Sequence, residues 1–194
     1  MSDISIPQPV LTWKLSGRDG NVRTQSDYTI NTGYNLQCRA NGQFLTYVKQ
    51  TLGVNLGYVT DAKERKVHFR LPDGSDREIV TGERIAFGIG GKPSFLKYKH
   101  RDVGINLAYA DDPAFEWRIY GESGQDGEPV PTEGWVAILN EKVEPDPDFL
   151  IHFGRPGADV GWTTSPQWWE TMLDTAGQIA TKGALVVIKN KIGL

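Results

Sequence analysis

Between Ser94 and Ile119 the chain reads SFLKYKHRDVGINLAYADDPAFEWRI, and its polar side chains are those of a recognition surface. Asn106, Tyr109, Asp111 and Asp112 can donate to and accept from a polar ligand. Lys99, His100 and Arg101, with Lys97 before them, form a basic hairpin suited to an anion or an acidic partner, or simply to solvent. Covalent chemistry has no comparable signal. There is no nucleophile elbow, no phosphate-cradling glycine motif and no Cys-His constellation. Acidic residues fall in turn contexts, and no two of them single themselves out as an acid-base dyad. His68, His100 and His152 lack metal-ligand spacing, and the lone Cys38 provides neither a disulfide framework nor a cysteine zinc site. The expectation is a protein that is not an enzyme and uses no cofactor and no metal.

The elements that must position these residues are repeated. Phe95-Leu96-x-Tyr98 followed by Gly104-Ile105-Asn106-Leu107-x-Tyr109 has an earlier echo in Phe44-Leu45-x-Tyr47 and Gly53-Val54-Asn55-Leu56-x-Tyr58. A later echo runs Phe149-Leu150-x-His152 and Gly157-Ala158-Asp159-Val160-x-Trp162. Three copies at a period of about fifty residues define a repeat architecture. Each copy is preceded by an aromatic strand and an Asp-Gly turn. Trp13, Phe69 and Trp117 are read as one repeat position, and so are Asp19, Asp73 and Asp126 with their glycines. Asp-Gly suits a two-residue hairpin, because glycine accepts positive φ without steric cost. Side chains alternate along a strand, so Leu45 shares a face with Tyr47, and Leu56 with Tyr58, as their counterparts do in the other copies. These layers are expected to be core, and Asn55, Asn106 and Asp159 to satisfy local turns. Positions that recur three times are explained by the fold, so function is sought where the copies differ. They differ at Lys97 to Arg101, in the short loop Phe153-Gly154-Arg155-Pro156 after His152, and in the tail.

Composition agrees with an all-β chain, since 22 glycines among 194 residues supply many turns. A net charge of −3 gives no global basic field, so neither nucleic acid nor an anionic membrane is an expected partner. The opening Met1-Ser2-Asp3-Ile4-Ser5 has no signal-peptide character, so a cytoplasmic protein, or one secreted without a cleaved signal, is expected. The expected organisation is a leader over 1–9, a repeat domain over 10–165 with units of about 10–62, 63–113 and 114–165, and a tail over 166–194. Ser165 and Pro166 form a helix-start signal, and Trp169, Met172, Leu173, Ala176, Ile179 and Ala180 follow at helical spacing. That predicts a helix over 166–181. It docks on the domain, or presents Trp168, Trp169 and Met172 to a partner, a second copy of the chain or a membrane surface.

Twelve short strands in three such units resemble the β-trefoil, in which half the strands close a barrel and half cap one end as hairpins. In that arrangement the strand around Trp13 completes the third unit. The ricin-B-like lectins of this superfamily carry a Gln-x-Trp signature. The matching triplets here are Leu11-Thr12-Trp13, Val67-His68-Phe69 and Phe115-Glu116-Trp117, which keep an aromatic but lack the glutamine. Gly42-Gln43-Phe44-Leu45 is similar to the fascin-like trefoils, which serve actin bundling and related binding roles. The resemblance implies a non-enzymatic, lectin-like module for carbohydrate. Its alternatives are a protein-interaction or assembly module working through the tail and, third, a membrane-active or toxin-like protein. For a glycan or protein partner the candidate contacts are Asn106, Tyr109, Asp111, Asp112, Lys99, His100 and Arg101.

Overall fold

The structure, a computed structural model, describes residues 10–29, 31–51, 54–90, 94–101, 105–155 and 158–163. The leader, the predicted helix and Trp168, Trp169 and Met172 lie outside these residues. Within them every regular element is a strand. They are β1 (Trp13–Ser16), β2 (Asn35–Cys38), β3 (Phe44–Tyr47), β4 (Leu56–Val59), β5 (Val67–Arg70) and β6 (Ile85–Ile89). They continue as β7 (Phe95–Tyr98), β8 (Leu107–Ala110), β9 (Phe115–Tyr120), β10 (Trp135–Asn140), β11 (Asp148–Arg155) and β12 (Ala158–Trp162). Among the described residues no helix is long and apolar enough to cross a membrane.

The strands make one curled antiparallel sheet in the order β4-β3-β2-β1-β10-β9-β6-β7-β8, with β11 and β12 branching from β10 and β5 from β6. The curl returns on itself where Tyr34 and Val67 exchange both backbone hydrogen bonds, at 2.8 and 2.9 Å. β1 lies between β2 and β10, so the first strand is built into the sheet beside the last units. Alternation then sorts the side chains. Trp13, Leu15, Leu36, Leu45, Phe87, Leu96, Trp117, Ile138 and Leu150 are at most 1% exposed in one large cluster. A smaller cluster of Tyr120, Ala137, Leu139 and Phe149 packs with Leu11.

Register corrects one expectation. Leu36 faces Leu45, Phe87 faces Leu96 and Ile138 faces Leu150, so these pairs correspond. On their other side stand Leu15, Phe69 and Ile119. Phe69 therefore matches Leu15 and Ile119, and the partner of Trp13 and Trp117 is Val67. The difference matters chemically. Trp13 and Trp117 donate Nε1 to the carbonyls of Leu150 and Leu96, each at 2.7 Å, which satisfies a buried polar atom and pins a hairpin to the sheet. Val67 has no donor to offer. Beside it a cleft of about 10 Å³, lined by Tyr34, Leu36, Leu45 and Val67 among others, has room for a single water at most.

The Asp-Gly turns take the expected backbone, with φ of +83° at Gly20, +71° at Gly74 and +84° at Gly127. They do not make two-residue hairpins. Each is followed by a segment that runs to one end of the sheet instead of pairing straight back. There Val22 N donates to Val130 O, Ile79 N to Val22 O and Val130 N to Ile79 O, at 2.8, 2.9 and 3.4 Å. A second cycle surrounds the first, from Thr24 N to Arg77 O, Thr81 N to Glu128 O and Thr132 N to Gly20 O. All three apolar residues are fully buried. The backbone of this floor is thus paired with no strand longer than a bridge.

Candidate functional site

β7 and β8 form a hairpin in which Phe95 faces Ala110 and Tyr98 faces Leu107. Lys99 N donates to Asn106 O at 3.2 Å, so Lys99, His100 and Asn106 sit at the tip. Asn106 is engaged there: its Oδ1 accepts from Arg101 N at 2.9 Å. Arg101 in turn spends its Nε on Leu107 O, at 3.1 Å. The first hairpin has the same arrangement, with Asn55 Oδ1 accepting from Gln50 N at 2.9 Å and Gln50 Nε2 donating to Leu56 O at 3.0 Å. Arg101 thus does the work of Gln50. Its charge differs, but its donor is used in the turn.

Tyr109 is also engaged. Its hydroxyl donates to Ile89 O at 2.9 Å, and burial, then the neighbouring Tyr47, holds its phenol well above the usual range. Asp111 and Asp112 are exposed at the base of the hairpin, and Lys99 and His100 are exposed at its tip. Five residues at about 3.3 Å each separate Asn106 from Asp111, so base and tip stand on the order of 15 Å apart. The seven candidates therefore do not converge on one ligand-sized volume. Among the described residues the side chains of Lys99, His100, Asp111 and Asp112 make no hydrogen bond or ion pair, whereas Asn106 and Arg101 belong to the turn.

The remaining titratable candidates are absorbed by packing. His68 is fully buried, stacked on Tyr28 with ring centroids 4.0 Å apart and edge-on to Phe95 at 5.2 Å. Burial pushes its imidazole down from 6.5 to about 4; a long contact to Lys66 O opposes this and nearby Arg70 adds to it. Burial, with Glu64, pushes Tyr28 up to about 12, so both rings are neutral near pH 7. Cys38 is a buried free thiol. Among the described residues no three His, Cys, Asp or Glu side chains gather as a metal site.

What the structure does bring together is a ring of aromatics at the hairpin end. Tyr47 meets Tyr109 at 6.0 Å, Tyr98 meets Trp162 at 6.2 Å and His152 meets Tyr58 at 5.1 Å between ring centroids. Each pair joins two different hairpins, so the three pairs link the three hairpins in a cycle. The leucines that share their strands are buried, yet Tyr47 is 39% exposed and Tyr58, Tyr98, Tyr109 and His152 are half-buried. The reading of all these positions as core is thus right for the aliphatic layer and incomplete for the aromatic one. Tyr47, Tyr98 and Trp162 end their strands, whereas Tyr58, Tyr109 and His152 stand within theirs.

The polar atoms of this crown are unevenly used. Tyr58 Oη lies 3.0 Å from His152 Nδ1, and Asn55 Nδ2 donates to Tyr47 Oη at 3.1 Å. The Tyr98 hydroxyl makes no hydrogen bond among the described residues. Trp162 is only 5% exposed and stacks on Trp117 at 6.1 Å, but its Nε1 is buried without an acceptor among the described residues.

No family model, no curated protein and no solved structure matches the chain.

Proposed function

We propose that this chain is a non-enzymatic binding module built on a β-trefoil, and that its ligand is carbohydrate. Support for the trefoil comes from the threefold recurrence of contacts: two cycles of three backbone bonds at one end, three hairpins at the other, and three aromatic pairs linking them. Six strands then form the barrel, and β3/β4, β7/β8 and β11/β12 form the cap. Closure leaves an all-β chain few open edges.

The observation that carries the functional reading is the division between polar groups spent on the scaffold and those left over. Asn55, Asn106, Gln50, Arg101, Trp13 and Trp117 repeat their bonds from unit to unit. The perturbed groups His68, Tyr28 and Tyr109 owe their shifts to burial within packed rings, not to a cleft where a substrate could react. The groups left over lie on a half-exposed surface that mixes aromatic faces with tyrosine hydroxyls. Such a surface suits a hydroxyl-rich ligand with apolar ring faces. A printed array of neutral and acidic oligosaccharides, probed with the purified protein at high concentration, tests it. Saturable binding to a defined glycan class is expected, and an array blank at the highest protein concentration would refute the reading.

A further inference from the structure

Resting on that reading, we infer that the sugar site is the aromatic crown itself, a single composite site on the pseudo-threefold axis to which all three hairpins contribute. It is not a set of separate sites, one per unit. Its members are Tyr47 and Tyr58 from the first hairpin, Tyr98 and Tyr109 from the second, and His152 and Trp162 from the third.

Two independent observations support this placement. The first is exposure. Each ring faces an aliphatic partner across its hairpin, and those partners, Leu45, Leu56, Leu96, Leu107, Leu150 and Val160, are at most 2% exposed, yet Tyr47, Tyr58, Tyr98, Tyr109 and His152 keep part of their surface open to solvent. Tyr47 is one of only two large apolar side chains exposed among the described residues. The second is the orphan indole. Among the described residues three tryptophans are buried in contact with the main cluster; Trp13 and Trp117 both reach a carbonyl at 2.7 Å, whereas Trp162 Nε1 reaches no acceptor there. Buried N–H groups without acceptors are rare and call for a specific cause. A ligand oxygen is one such cause.

The chemistry of the crown selects the ligand class. None of its six side chains carries a permanent charge, and the imidazole Nδ1 of His152 is occupied by Tyr58 Oη. Tyr98 Oη and the hydrogen of Tyr47 Oη remain to donate, beside ring faces that can lie against the C–H side of a pyranose. The site therefore takes a neutral sugar residue in preference to a sulfated or carboxylated one. The basic tip at Lys99 and His100 points the other way, toward an acidic glycan, and serves as the rival location.

The test titrates the soluble form of the tightest array glycan into the full chain and its variants. Tyr98→Phe and Trp162→Phe each remove one donor and are expected to weaken binding about fivefold to tenfold, the worth of one hydrogen bond. Tyr47→Ala removes a stacking face and is expected to cost tenfold or more. Because Trp162 is buried, its variant is first checked by thermal unfolding. Tyr47 is exposed and Tyr98→Phe removes only a hydroxyl, so these two variants carry the test if Trp162→Phe does not fold. Crown variants that bind as tightly as the parent, while Lys99→Ala/His100→Ala or Asp111→Ala/Asp112→Ala lose binding, would overturn the placement and leave the carbohydrate reading standing. A parent protein that binds no glycan overturns both.

Discussion

His68 offers a quantitative test of the packing described here. Its ring lies between Tyr28 and Phe95 on the outer side of β5, fully buried, across the strand from Gly88. Above its ordinary value of 6.5 the imidazole is neutral in both folded and unfolded chains, and it contributes no pH dependence. As pH falls from 6.5 toward about 4, the unfolded chain takes up a proton that the folded chain refuses, so stability falls. Below about 4 the folded state is protonated too and the loss levels off. A depression of that size corresponds to a total of about 3 kcal/mol, lost at about 1.4 kcal/mol per pH unit in the middle of the window. The assay is urea unfolding followed by tryptophan fluorescence at several pH values between 7.5 and 4, on the parent and on His68→Leu. Carboxylates and the other two histidines contribute to both proteins, so the difference between the two curves isolates His68. The parent should lose about 2 kcal/mol more than the variant between pH 6.5 and 4.5. Two curves that run parallel through that window would show that His68 is solvated and not enclosed by Tyr28 and Phe95.

Other consequences are local. A Cβ added at Gly88 would lie 2.3 Å from Ser94 O and 2.4 Å from His68 Nε2, so Gly88→Ala should destabilise by about 2 to 3 kcal/mol in the same urea assay. Trp117→Phe leaves the Leu96 carbonyl without its donor and should cost about 2 kcal/mol. Trp162→Phe should cost about 1 kcal/mol less than that, since its N–H has no acceptor to lose among the described residues. Glu141, with its side chain 8% exposed, holds Arg84 Nε at 2.8 Å and Arg118 Nε at 2.5 Å. Glu141→Gln should cost about 2 kcal/mol, a buried-pair effect reduced because the side chain of Arg84 is 59% exposed.

The sequence was most legible where one chemical demand is made three times. The Phe-Leu-x-Tyr frame located β3, β7 and the matching part of β11, the Asp-Gly pairs located the left-handed glycines, and Asn55 and Asn106 do satisfy turns. Legibility failed where residue type and register disagree. Val67-His68-Phe69 contains one aromatic, and matching it to Trp13 and Trp117 by type displaces the strand by two residues. Only the pairing of Phe69 with Phe87 and Leu96 beyond it sets the phase. The floor was hidden for a different reason. Val22-x-Thr24 corresponds to Ile79-x-Thr81 and Val130-x-Thr132, but Gln25 to Thr32 intervene before β2 and break the spacing. Those extra residues bring Tyr28 onto His68. The candidates along β8, adjacent in sequence, spread from the tip to the base of the hairpin in space. The crown was missed because each of its pairs joins residues from two units, which no periodicity within one unit can reveal.

The most direct measurement is the indole N–H spectrum of the nitrogen-15-labelled protein as the tightest array glycan is added. With Trp162 assigned through its phenylalanine variant, its resonance should shift to lower field on saturation as Nε1 gains an acceptor. The resonances of Trp13 and Trp117, already bonded to Leu150 and Leu96, should stay in place. A saturated complex in which Trp162 does not move would contradict the crown as the binding site.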